Sequence, residues 1–137
     1  MHQPETTGDL LMGTARRLRR EFGTALVHDG VTPAQARALR SVMEAGALRP
    51  SALAEHLDIA ARSATEVVDA LEEQGLVERR PDPDDRRATL VTPTRAAKTE
   101  LAQVDRLRRA QTERFLAVLS DADRAELDRI LRILVDQ

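Results

Sequence analysis

Asp85 and Arg87 stand two residues apart in the run Pro81-Asp82-Pro83-Asp84-Asp85-Arg86-Arg87. On an extended strand that spacing puts both side chains on one side. A carboxylate so placed can hold the guanidinium in one pose, ready to enter a narrow minor groove of duplex DNA. A second set lies earlier. Arg62, Ser63, Thr65, Glu66 and Asp69 fall on the outward face of a helix whose inward stripe is Ala64, Val67, Val68 and Leu71. Arg62 can donate to guanine, Ser63 or Thr65 to bases or phosphate, and Glu66 can accept from a cytosine amine. Both sets also have plainer readings. A charged loop often contains such a pair by chance, and the polar face of a helical hairpin can simply meet water.

Other chemistry finds little support. His2, His28 and His56 are far apart, so no local pair has metal-ligand spacing. His56 reads as a surface residue, and His28, near a helix end, either favours the C-terminal dipole or joins a binding site. There is no cysteine, and no G-x-x-x-x-G-K-[ST], G-x-G-x-x-G, H-E-x-x-H or G-x-S-x-G occurs. No catalytic residue, metal or cofactor is therefore expected, and an enzyme is disfavoured.

The elements that must position these groups are helical nearly throughout. The 137 residues suit one domain, and with Phe22 and Phe115 the only aromatics the core must be aliphatic. Residues 1–8 read as a frayed start. From Asp9 to Val27, Leu11, Ala15, Leu18, Phe22 and Ala25 recur at spacings of four, three, four and three, the seam of a helix that meets a partner along its length. Thr32, Pro33 and Gln35 form a T-x-x-Q capping box that opens a helix carrying Ala36, Leu39, Val42 and Met43 inward and stopping at Gly46. Ser51 is expected to cap a short helix to Leu57, and a brief turn leads to the helix Ala61–Gln74, ended by Gly75. There the period changes. Leu76–Arg80 and Ala88–Thr92 are β-rich runs flanking the turn-forming stretch 81–87, which reads as a hairpin with a long charged tip. Thr92-Pro93 is expected to open a helix to about Leu119, and Ser120 to cap a last one whose buried stripe is Leu127, Ile130, Leu131 and Leu134. This order is that of a winged helix-turn-helix, with Ser51–Leu57 and Ala61–Gln74 as the helix-turn-helix.

Charge tempers that reading. The net charge is −2, and 20 of the 21 basic residues are Arg, which gives no overall attraction to DNA, RNA or anionic lipid. Residues 49–91 hold six Arg against ten acids, a local −4. Phosphate contacts must be few and local, with Arg37, Arg95 and Lys98 as supplements. No apolar run approaches the roughly 18 residues of a membrane span, and residues 1–25 carry no signal-peptide core. A soluble, cytoplasmic protein with no membrane partner is expected.

Leu76-Val77-Glu78-Arg79, Asp82-Pro83-Asp84-Asp85-Arg86-Arg87-Ala88 and Leu90-Val91 resemble the wing of the MarR family of bacterial transcription regulators. Thr32–Leu39 and Leu53-Ala54-Glu55-His56-Leu57 are similar to the helices that precede it, and the resemblance spans roughly residues 9–136. It differs at Ala60-Ala61, where members often have Ser or Thr before Pro, and at Pro93-Thr94 and Ala97, where Leu-Thr and Gly are usual. The resemblance implies a mainly α fold with a small β-hairpin wing (α+β), a single domain over 1–137. Within it, 9–29 and 93–136 would be dimerisation helices and 31–92 the DNA-binding lobe. It further implies a homodimer on a pseudo-palindromic duplex, with the Ala61–Gln74 helix in the major groove and Arg87 in the minor groove. Arg79, Asp85 and Arg86 join Arg62, Ser63, Thr65 and Glu66 as candidate DNA-binding residues. Family members commonly release DNA when a small phenolic or lipophilic effector binds, which points to a pocket near Phe22, Leu26, Met43 and Leu107, with His28 beside it. Repression is the expected mode. The rival is a helical adaptor protein, which would keep the seam but have no use for the wing.

Overall fold

Thr6 sets the first helix of the computed structural model, which describes residues 3–137; Met1 and His2 of the expected frayed start lie outside the described residues. Its hydroxyl accepts the Asp9 N–H at 3.1 Å, and Asp9 in turn takes the Thr6 N–H at 2.9 Å. This capping box starts α1 at Thr7 and runs it to His28, so residues 7 and 8 are helical rather than frayed. The Thr6 bonds also hold the Asp9 carboxyl below its ordinary range. α2 (Pro33–Ala45) has the expected box between Thr32 and Gln35, with Gly46 at φ 79° closing it. α3 (Pro50–Leu57) begins one residue before the expected Ser51 cap. Pro50 occupies the first helical position and Arg49 becomes the N-cap, because a proline there gives up an N–H that would be unpaired anyway.

α4 (Ala61–Glu73) follows a turn in which Asp58 takes the left-handed conformation, at φ 52° and ψ 51°. β1 (Val77–Asp82) and β2 (Asp85–Pro93) form an antiparallel hairpin. The expected long tip is a two-residue turn at Pro83-Asp84, since Pro81 and Asp82 continue the strand. Pro93 ends β2 instead of opening a helix. Thr94 is the N-cap of α5 (Arg95–Leu116), and its hydroxyl donates to the Gly75 carbonyl at 2.6 Å. α6 (Asp121–Val135) is capped by Ser120 as expected.

Two apolar clusters hold these elements. The larger joins α2, α3, α4, the hairpin and the start of α5 through Leu39, Val42, Leu53, Val68, Leu71 and Val91. The smaller joins α1, α2 and α5 through Leu26, Val31, Ala36 and Val104, with Phe22 and Leu107 against it. α6 buries nothing. Its stripe, expected to be buried, stands open in the single chain, with Ile130, Leu131 and Leu134 all exposed and Leu127 half-buried. The α1 seam is likewise only half covered. Among the described residues, no helix is long and apolar enough to cross a membrane.

Candidate nucleic-acid interface

α4 sits with Ala64, Val68 and Leu71 fully buried, so the helical period turns Arg62, Ser63, Thr65, Glu66 and Asp69 to the outside, and all five are exposed. Arg62 reaches only loosely toward Glu66, at 3.8 Å, and stays 92% exposed. The Thr65 hydroxyl donates back to the Ala61 carbonyl at 3.1 Å. Ala60 supplies no side-chain cap, which leaves the first amide groups of α4 without a side-chain acceptor.

The hairpin is fastened to this helix by Arg79. Its guanidinium donates to Asp69 and to Glu72, at 2.9 Å for the latter, and its backbone N–H donates to the same Glu72 carboxylate at 3.1 Å. The side chain is only 28% exposed. Desolvation lowers its pKa and the two carboxylates outweigh that, raising it overall. Of the candidate contacts, Arg79 is thus a clamp between β1 and α4 whose charge is already matched. Arg80 is similarly spent on Glu78, at 2.9 Å.

At the tip the expected pairing is corrected. Asp85 does not hold the Arg87 guanidinium; its Oδ1 accepts the Arg87 backbone N–H at 3.0 Å. The cause is register. Pro81 pairs with Thr89 but Asp82 pairs with Asp85, so Arg86, Arg87 and Ala88 have no partner on β1 and the two-residue alternation fails there. Arg86 and Arg87 are exposed and, among the described residues, enter no ion pair. They are the cations of the wing left free.

Sequence reasoning missed one ion pair of this lobe. Arg49 donates from Nε at 3.0 Å and from Nη2 at 2.7 Å to Asp82 Oδ2. The Asp84 N–H first, then Arg49, hold the Asp82 carboxyl below its ordinary range. The two residues are 33 apart in sequence, and no local pattern announces the pairing.

The expected effector residues divide. Phe22, Leu26 and Leu107 do meet in the α1–α2–α5 cluster. Met43 does not, and packs on the larger core. It lies seven residues beyond Ala36, on the same face of α2 but about 10 Å along the axis. Over the smaller cluster is a hollow of about 430 Å³ floored by Phe22, Ala36 and Val104 and rimmed by Arg19, Arg37, Arg40 and Arg108. Asp105 serves two of these cations, Arg40 at 2.7 Å and Arg108 at 3.2 Å. His28 is exposed and lines a separate hollow of about 620 Å³ between α1 and α5. Among the described residues, no three His, Cys, Asp or Glu side chains cluster as a metal site requires.

Residues 31–89 match the model of the MarR family. The chain is 34% identical over 128 residues to a putative transcriptional regulatory protein for the hcr operon of Thauera aromatica, covering 93% of this chain and 77% of that one. A mutant MarR from E. coli complexed with operator DNA superposes with a TM-score of 0.68 at 26% identity, over 93% and 91% of the two chains. A MarR family protein from Mycobacterium tuberculosis in complex with salicylic acid does so with a TM-score of 0.71 at 26% identity, over 98% and 99%.

Proposed function

The chain belongs to the MarR family of transcriptional regulators, and from that premise we propose that it represses transcription as a homodimer seated on a pseudo-palindromic operator. Residues 9–29 and 93–136 build the dimer, and residues 31–92 form the lobe that meets DNA. The observation that carries this reading is the Arg79 clamp. It locks the hairpin to α4, so that one rigid unit offers the exposed face of Arg62, Ser63, Thr65 and Glu66 together with the unpaired Arg86 and Arg87. The related MarR that was solved with operator DNA supports it. α4 enters the major groove, where Arg62 has the donors for a guanine edge. The uncapped amides at its start suit a phosphate. Arg87 enters the adjacent minor groove, held through its backbone by Asp85. Arg79 acts indirectly, as the clamp. Repression follows from occupancy, since a dimer seated on a promoter excludes polymerase.

The hollow over Phe22, Ala36 and Val104 favours a small apolar anion as effector. Its floor is apolar, its rim carries four guanidinium groups against the one carboxylate of Asp105, and a relative was solved with salicylic acid. An incoming carboxylate would compete with Asp105 for Arg40 and Arg108 and so loosen α2 from α5. Of the expected effector residues, Phe22 lines this hollow and Leu26 and Leu107 belong to the cluster beneath it; Leu107 and His28 line the neighbouring hollow, and Met43 lies outside both.

Fluorescence anisotropy of a labelled random-sequence duplex and a single-stranded RNA of equal length tests the reading. Duplex binding that weakens with salt, with the modest slope that a few phosphate contacts give, is expected. Failure to bind the duplex, or stronger binding to the RNA, overturns it.

A further inference from the structure

The wing has an anchor that the functional reading leaves unused. Asp82 is the one buried charged residue among the described residues, 6% exposed although it adjoins the hairpin turn. Both its oxygens are taken: Oδ2 by Arg49 Nε and Nη2, Oδ1 by the Asp84 N–H at 2.9 Å. One residue before Arg49, Leu48 pairs with Val91 through two backbone bonds of 3.0 and 2.7 Å. The connector between α2 and α3 is therefore laced to β2 by an isolated antiparallel bridge. Val91 lies opposite Arg79, three residues below Asp82 on β1, or about 10 Å at the usual rise of a strand. The hairpin is thus tied to the connector twice, by a backbone bridge in its lower half and by an ion pair near its tip.

The tip needs the second tie. Pro81 offers no N–H, and Arg86, Arg87 and Ala88 have no partner on β1. Without Arg49, a buried carboxylate would lose its cation and the tip would hang on a two-residue turn.

We infer that Arg49 is a positioning residue for DNA binding: acting through Asp82, it holds the wing tip, and with it Arg86 and Arg87, in place relative to α4 without itself touching DNA. The inference rests on the proposed role of the wing. It also replaces the expected function of an Asp85–Arg87 ion pair with a contact made from outside the hairpin. Because the Arg49 guanidinium is shared with Asp82, removing it loosens the tip but subtracts no phosphate contact.

The test uses the full-length dimer and the duplex recovered by in-vitro selection with the native protein. Arg49→Ala and Asp82→Asn should each weaken binding about five- to tenfold, the scale of re-ordering a few side chains on association. The double variant should bind no worse than the weaker single one, since both break one contact. The slope of log Kd against log salt should stay native, and amide exchange at residues 86–88 of the free protein should quicken. Asp82→Asn keeps the shape and the acceptor for Asp84, so it serves if Arg49→Ala folds poorly. Arg87→Ala tests the underlying reading separately and should lower both affinity and slope. If Arg87→Ala changes neither, the wing is not a DNA contact and the inference falls with that reading. If Arg87→Ala weakens binding while Arg49→Ala leaves affinity and exchange native, the inference alone is overturned. A shallower slope for Arg49→Ala, or additive losses in the double variant, would overturn it too.

Discussion

Replacing Leu131 by Asp places a charge in the α6 stripe that is expected to face a second copy of the chain. Leu131 is 37% exposed in the single chain, beside Ile130 at 41% and Leu134 at 47%. Burying a whole leucine side chain is worth about 1.5–3 kcal/mol, so the part of Leu131 still in water has about 0.6–1.1 kcal/mol to gain in an interface. A two-fold axis counts that gain twice, about 1–2 kcal/mol per dimer. The aspartate forfeits it and adds the cost of two desolvated carboxylates, which brings the loss to about 4 kcal/mol or more. The dimer dissociation constant should rise about a thousandfold. Size exclusion with light scattering over a concentration series measures it, and circular dichroism should show the helices retained, because no residue of α6 is fully buried within its own chain. A native chain that is monomeric at every concentration, or a Leu131→Asp variant that dimerises like the native chain, would refute the argument.

Arg62→Ala should relax base preference at one symmetric pair of operator positions by about 1–3 kcal/mol, read from affinities for single-base variants; unchanged preference would remove Arg62 from the bases. Asp85→Ala should weaken DNA binding about two- to tenfold, the worth of one hydrogen bond, by freeing the Arg87 backbone. Tighter binding would mean that the lost negative charge outweighs that order. Glu100→Gln concerns stability and pH. Burial first, and the nearby Asp29 carboxylate second, push the Glu100 carboxyl above its ordinary range. The charged form therefore burdens the folded state once pH exceeds the unfolded value of about 4.3. The Gln variant should melt about one or two degrees higher at pH 7, with the gain disappearing as pH falls through that value. A gain that persists at pH 3 would point to packing instead.

What was legible in the sequence was what local chemistry decides. Thr32 and Gln35 announce their box, Gly46 and Gly75 their stops, and the stripe Ala64, Val68 and Leu71 is buried as its spacing requires. Thr6 and Asp9 show the same T-x-x-acid pattern, but the polar residues around them read as a frayed end. The wing was legible as a hairpin and misread at its tip. Pro81 and Asp82 look like turn formers, yet a proline on an edge position loses no ladder bond and can stay in the strand. The strand alternation that paired Asp85 with the Arg87 side chain assumed an unbroken register, and the shift beside Pro81 removes it. The Arg49–Asp82 pair joins distant stretches that only the folded connector brings together. Met43 shows the complementary error, since an apolar helix face is continuous in sequence while the clusters it feeds are separate in space.

In-vitro selection of random duplex DNA with the purified native chain tests the central claim most directly, because it reports sequence, symmetry and spacing together. A dimer of two clamped lobes should recover an inverted repeat whose half-sites are about 10 bp apart centre to centre, or a multiple of that turn. A single asymmetric site, or no enrichment of any sequence over the starting library, would contradict it.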